Sequence, residues 1–126
     1  MPRPSVALVA LLGVATLVLL VGCSQEDDLS TWPVERKLAA VERNAFVTAD
    51  DPQVQRYRVW LDQLEQRCTQ NRQAIADITL GGRSAALRRG KVISVERLLS
   101  DLVLVTAGTG APVDCIDAVA LLALSY

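Results

Sequence analysis

Histidine is absent from this chain of 126 residues. That gap removes Ser-His-Asp and Cys-His catalysis, His-ligated zinc and His-ligated haem from consideration. Carboxylate chemistry and Ser-Lys pairs survive it. Aromatic residues are scarce as well, being limited to Trp32, Phe46, Tyr57, Trp60 and Tyr126. Neither sign of charge dominates, with 13 basic against 14 acidic side chains and a formal net charge of −1. Such a balance generates no strong field, so neither nucleic acid nor an acidic surface is favoured as a partner.

The apolar content is unevenly spread. Residues 6–20 hold no charged side chain and follow Arg3. As a helix, this run of about 15 residues reaches ~23 Å. A permanent membrane span wants about 20 apolar residues, so the run suits the core of a secretory signal better. Leu20-Val21-Gly22-Cys23 closes it, and Ser24-Gln25-Glu26-Asp27-Asp28 follows at once. An aliphatic residue, a small or branched one, Gly and Cys stand at the right distance from Met1, beside an abrupt change of polarity. The stretch resembles the lipobox of bacterial lipoproteins.

The resemblance covers about residues 1–24 and implies removal of residues 1–22, with a diacylglyceryl thioether on Cys23. It also implies an address on the exported side of the cell membrane, held by the lipid. Two or more acyl chains anchor stably, at about 0.8 kcal/mol per buried methylene. In Gram-negative lipoproteins Asp after the Cys is the retention signal for the inner membrane. Ser24 stands there instead, so in such a host the outer membrane is expected. An uncleaved signal-anchor helix and a signal cut elsewhere without lipid are the alternatives. The chain then divides into a signal peptide (1–22), a lipidated tether (23–31) and one domain (32–126).

With Cys23 modified, Cys68 and Cys115 remain. They form an even pair in a compartment that permits disulfides, and two separate buried thiols are the alternative. A metal site built on two cysteines with no His is not expected, nor is any cofactor beyond the covalent lipid.

The domain reads as all-α, a small bundle of about four helices. The first helix starts near Thr31-Trp32-Pro33 and carries Val34, Leu38, Val41 and Ala45 as its apolar stripe. Asp51 and Pro52 then open a second helix, as cap and first residue. Its seam of Val54, Tyr57, Leu61, Leu64, Cys68, Asn71, Ile75 and Ile78 alternates three and four residues apart. That pattern predicts one unbroken helix over residues 54–78, stopped by Gly81-Gly82. The seam serves either as the long core helix of a bundle or as a coiled-coil strand for a partner. Ser94 caps a third helix whose apolar face is Val95, Leu98, Leu99, Leu102 and Val105. Leu102 to Val105 also suits a strand. The last helix begins near Pro112 and is apolar on every side from Ala118 to Leu124, which predicts a central, buried position.

Candidate sites are few. Arg83, Arg88, Arg89 and Lys91 form a basic cluster for lipid head groups or another anionic envelope polymer, or else a solvated segment. The run after Gly90 echoes half of a calcium-binding loop, but Ala85, Leu87 and Arg89 occupy its ligand positions, so no calcium site is expected. Gly108 and Gly110 lack the Walker lysine and read as a turn. Among the nine carboxylates available for acid–base work (Glu35, Glu42, Asp62, Glu65, Asp77, Glu96, Asp101, Asp114 and Asp117), no spacing selects a pair. Lys91 and Ser94 lack the dry surroundings that a Ser-Lys dyad needs. Val59 and Trp60 sit beside the long seam as a candidate docking edge. The expected role is non-catalytic: a binding or accessory module contacting a neighbouring envelope protein. A carrier of apolar ligands and a small carboxylate-dependent hydrolase are the alternatives.

Overall fold

The computed structural model describes residues 29–126. The expected signal peptide, Cys23 and most of the expected tether lie outside the described residues. Leu29–Thr31 makes one 3-10 turn, closed by the Trp32 amide donating to the Leu29 carbonyl. Pro33–Tyr126 is a compact unit of its own. It is an all-α bundle of five helices: α1 (Val34–Arg43), α2 (Pro52–Arg67), α3 (Arg72–Arg88), α4 (Val95–Thr106) and α5 (Cys115–Ser125). No strand occurs among the described residues.

Local chemistry sets the helix ends. The Pro33 carbonyl accepts the first amides of α1, and Asn44 closes that helix in the left-handed conformation at φ 51°. Asn is one of the residues that tolerate this geometry. Asp51 caps α2 by accepting from the Gln53 amide at 2.9 Å, and Pro52 takes the first helical position, both as expected. Ser94 caps α4 through the Arg97 amide at 3.0 Å, and Asp114 caps α5 through the Ile116 amide at 3.0 Å. Leu102 to Val105 is helical.

The long seam is where the expected path of the chain fails. Val54, Tyr57, Leu61 and Leu64 are buried on α2 as predicted, but the helix ends at Arg67. Cys68 is extended at φ −88° and ψ 153°. Its neighbours pair with Val113 instead: the Thr69 amide donates to the Val113 carbonyl at 2.9 Å, and the Val113 amide to the Arg67 carbonyl at 2.8 Å. Asn71 then starts α3, accepting from the Ala74 amide at 2.9 Å. The periodicity survives the break because both helices face one core, so spacing alone cannot register it. This break makes five helices of the expected four.

Gly81-Gly82 stops nothing, because α3 runs through it to Arg88. Gly82 is buried, and a Cβ there would overlap the Cγ1 methyl of Val119 on α5. The glycine is a packing site. It costs helix propensity of about 1 kcal/mol relative to Ala, and it gives α5 a seat.

The stripe expected on α1 is rotated by one residue. Leu38 is buried, but Val41 and Ala45 are exposed, while Glu35 and Ala39 turn inward. Two carboxylates find partners there. Glu35 accepts from Arg58 Nε at 3.0 Å and from Arg72 Nη1 at 3.2 Å. Glu42 accepts from the Val95 amide at 2.8 Å and from Arg83 at 3.3 Å, so it serves the N-terminus of α4. Arg72 also pairs with Asp62 and Glu65. On α4, Val105 is exposed, and Thr106 closes the buried face, donating to the Leu102 carbonyl at 2.8 Å.

The core is filled by Tyr57, Leu61, Leu64, Ile75, Leu98, Leu99 and Leu102, all fully buried. Burial pushes the Tyr57 phenol up, helped by the charges of Glu42 and Glu96. Cys68 and Cys115 form a disulfide with Cα atoms 5.5 Å apart. It closes a span of 47 residues and constrains the unfolded chain by about 4 kcal/mol in the loop-entropy account.

Candidate functional site

The terminal helix α5 does not lie in the centre. Only Cys115, Val119 and Ala123 are buried along its length. Ile116, Leu121 and Leu124 are 53%, 68% and 63% exposed. A helix that is apolar all round carries no directional signal for its buried face, so the expectation of a central helix had no way of placing it at the surface.

Polar and covalent clasps hold it there at both ends. At the N-terminus, the disulfide joins Cys115 to Cys68. The Gln70 amide group works twice: its Nε2 donates to Asp114 Oδ1 at 2.9 Å, and its Oε1 accepts from the Cys115 amide at 3.1 Å. At the C-terminus, Arg89 Nη1 donates to the carbonyls of Ala123 at 3.1 Å and Leu124 at 3.0 Å. A helix end leaves these carbonyls without intrahelical partners, and a cation there also suits the helix dipole. Tyr126 donates to Asp101 Oδ2 at 2.6 Å, with the Arg97 guanidinium 4.9 Å from the centre of its ring. Burial raises the Tyr126 phenol, and the Asp101 carboxylate adds to the effect.

Gln70 precedes α3 and Arg89 follows it, so α5 runs beside α3 in the same direction, strung between those two residues. The helices meet where Gly82 receives Val119. Because Gly81, Gly82 and Ala85 are small, they leave an open groove of about 440 Å³ between α3 and α5, walled by Ile78, Ile116, Ala120 and Leu124. A second groove of about 520 Å³ lies between α4 and α5, walled by Val105, Val113, Ala118 and Leu121. The apolar α5 is therefore a ridge with a trough on each side. Asp114 and Asp117 border the second trough, and Arg89 borders the first. Contiguous exposed apolar surface of this kind marks interaction sites.

The residues singled out from sequence fall elsewhere. Val59, 53% exposed, and Trp60, half-buried against the Tyr57 ring at 6.0 Å, are on α2. Arg88 is the exposed last residue of α3, and Arg89 is its C-cap. Arg89 thus serves α5, and Arg83 serves Glu42, so two of the four cations in the basic cluster are held by structural partners. Lys91 and Ser94 lie in and at the end of the α3–α4 connection. The pairings of Gln70 and Tyr126 carry no mark in the sequence, since their partners are 44 and 25 residues away.

The carboxylates are largely committed. Glu35, Glu42, Asp62, Glu65, Asp77, Glu96, Asp101 and Asp114 each hold a side-chain or capping hydrogen bond. Burial alone would raise Glu35, but its backbone bond and the Arg58 and Arg72 guanidinium groups outweigh it and hold the carboxyl below its ordinary value. A general acid needs the opposite shift. Among the described residues, no group of three Cys, Asp or Glu is placed to hold a metal ion. No helix among them is long and apolar enough to cross a membrane. No protein-family model, curated protein or solved structure matches the chain.

Proposed function

We propose that the chain is a lipid-anchored protein of the bacterial cell envelope whose helical domain is a non-catalytic docking module, and that α5 is its contact surface. The anchor rests on the resemblance of Leu20-Val21-Gly22-Cys23 to a lipobox. The docking role rests on one observation: α5 is kept at the surface by clasps at its two ends, with Ile116, Leu121 and Leu124 turned outward. Burying such side chains contributes about 1.5–3 kcal/mol each. A helix held in place without that gain leaves it available to whatever covers it.

The two halves of the proposal are tested separately. Metabolic labelling with an acyl-chain analogue marks wild type and leaves Cys23→Ala unmarked if the anchor is right. A retained leader, or an unmodified thiol at Cys23, refutes it. For docking, a photo-reactive side chain replaces Leu121 or Val59 in the full chain in intact membranes. Protein adducts are expected at the Leu121 position and not at Val59. Adducts confined to Val59 move the contact to α2, and adducts with lipid alone at the Leu121 position end the docking role of α5.

A further inference from the structure

We infer that the surface which covers α5 is a second copy of the same helix, packed antiparallel about a twofold axis. This deepens the docking role proposed above and depends on it. Three features of the α5 face fit a self-complementary contact. The face is apolar in the middle and charged only at its ends, the arrangement of a core with a polar rim. Its charges differ at the two ends: Asp114 and Asp117 border the N-terminus, and Arg89 borders the C-terminus, where Arg97 and Asp101 pair with and offset each other. The helix of 11 residues is about 16 Å long. An antiparallel neighbour of the same length sets each acidic end against a basic end, and sets the helix dipoles head to tail. A parallel neighbour sets like against like.

A twofold contact is also what an isologous patch permits, since the same residues serve both sides. The protruding side chains Leu121 and Leu124 flank the crest, and the troughs beside it, about 520 and 440 Å³, are lined mainly by apolar atoms. Crest and troughs of two copies therefore supply both the knobs and the space that receives them. The rim charges select the antiparallel orientation, and like-charge contact disfavours the other.

The test uses the full chain with a photo-reactive residue at position 121, in membranes containing two differently tagged copies. A covalent product of twice the chain mass, carrying both tags, is expected. Leu121→Asp, at a residue 68% exposed, is expected to lower co-capture of the second tag at least tenfold with an unchanged helical circular dichroism spectrum. Leu124→Asp is expected to do the same, should Leu121→Asp alter the fold. Asp117→Arg is expected to weaken co-capture severalfold, and Leu87→Asp, on the exposed side of α3, to leave it unchanged. Absence of a two-tag product, or co-capture indifferent to both aspartate variants, overturns the self-contact. If the probe then labels one other protein, the docking role survives and only the self-contact falls. If it labels lipid alone, both fall.

Discussion

Gly82 and Val119 are in contact only because one of them has no side chain: a Cβ on Gly82 would overlap the Cγ1 methyl of Val119. The neighbouring Gly81 has nothing within 4 Å of the same imagined atom. Two adjacent glycines in one helix therefore respond to Ala with opposite signs. Gly82→Ala forces α5 away from α3 and is expected to destabilise by about 1–3 kcal/mol, as overpacking does. Gly81→Ala gains helix propensity and is expected to stabilise by roughly 0.5–1 kcal/mol. Urea unfolding of the full chain, followed by circular dichroism, measures both. Equal and favourable shifts would mean that α5 does not sit against Gly82.

Glu35 predicts an acid dependence. The carboxyl is held below its ordinary value of 4.5 by its backbone bond, Arg58 and Arg72. A lowered folded pKa means that the native state binds its proton less readily than the unfolded chain does. The resulting stability is fully present above the ordinary carboxylate range and is lost as pH falls through the lowered value. Glu35→Gln removes charge-assisted hydrogen bonds and is expected to cost about 2 kcal/mol near neutrality. Its cost is expected to shrink in acid below pH 4.5, where wild type loses the same contribution. A cost that stays constant from neutral to acid pH would show that the charge contributes nothing.

The disulfide predicts a larger loss. Replacing Cys68 and Cys115 together by Ser is expected to lower stability by about 2–4 kcal/mol. Both half-cystines are buried, Cys115 completely, so mild reductant is expected to act on the native protein only as fast as it opens. Urea midpoints with and without reductant, and thiol labelling over time, check the two expectations. Rapid labelling in the native state would contradict the burial of the pair.

The sequence disclosed the parts of this fold that rest on short-range chemistry. Asp51-Pro52 and Ser94 marked helix starts because a cap acts on amides two or three residues away. The Cys pair could be named because residues 32–126 hold only two thiols. What stayed hidden depends on partners far along the chain. Glu35 is turned inward by Arg58 and Arg72, 23 and 37 residues on, and nothing near it in the chain marks that. The break at Cys68 is made by Val113, and a seam that continues in phase across the gap carries no mark of it. On α5 the difficulty was different in kind. Uniform apolarity says that a helix can be buried, and the Cys68 disulfide, Gly82, Gln70, Arg89 and Tyr126 determine which part of it is.

Arg89 provides the sharpest check on how α5 is held. Its guanidinium satisfies the Ala123 and Leu124 carbonyls, while the Tyr126 hydroxyl holds the last residue to Asp101 by a separate bond. Arg89→Ala removes the first clasp and leaves the second. The last turn of α5 is then expected to open more readily, with amide hydrogen exchange there faster by about tenfold, which corresponds to ~1.4 kcal/mol, the scale of charged hydrogen bonds. The first turn, tied by Cys68 and Gln70, is expected to keep its protection. Arg89→Lys retains a cation at the helix end but not the planar fork, so it is expected to restore only part of the protection. Arg88→Ala, at an exposed neighbour, is expected to change neither turn. Uniform acceleration along the whole helix would mean that α5 is released as a unit and that its two ends are not fastened independently.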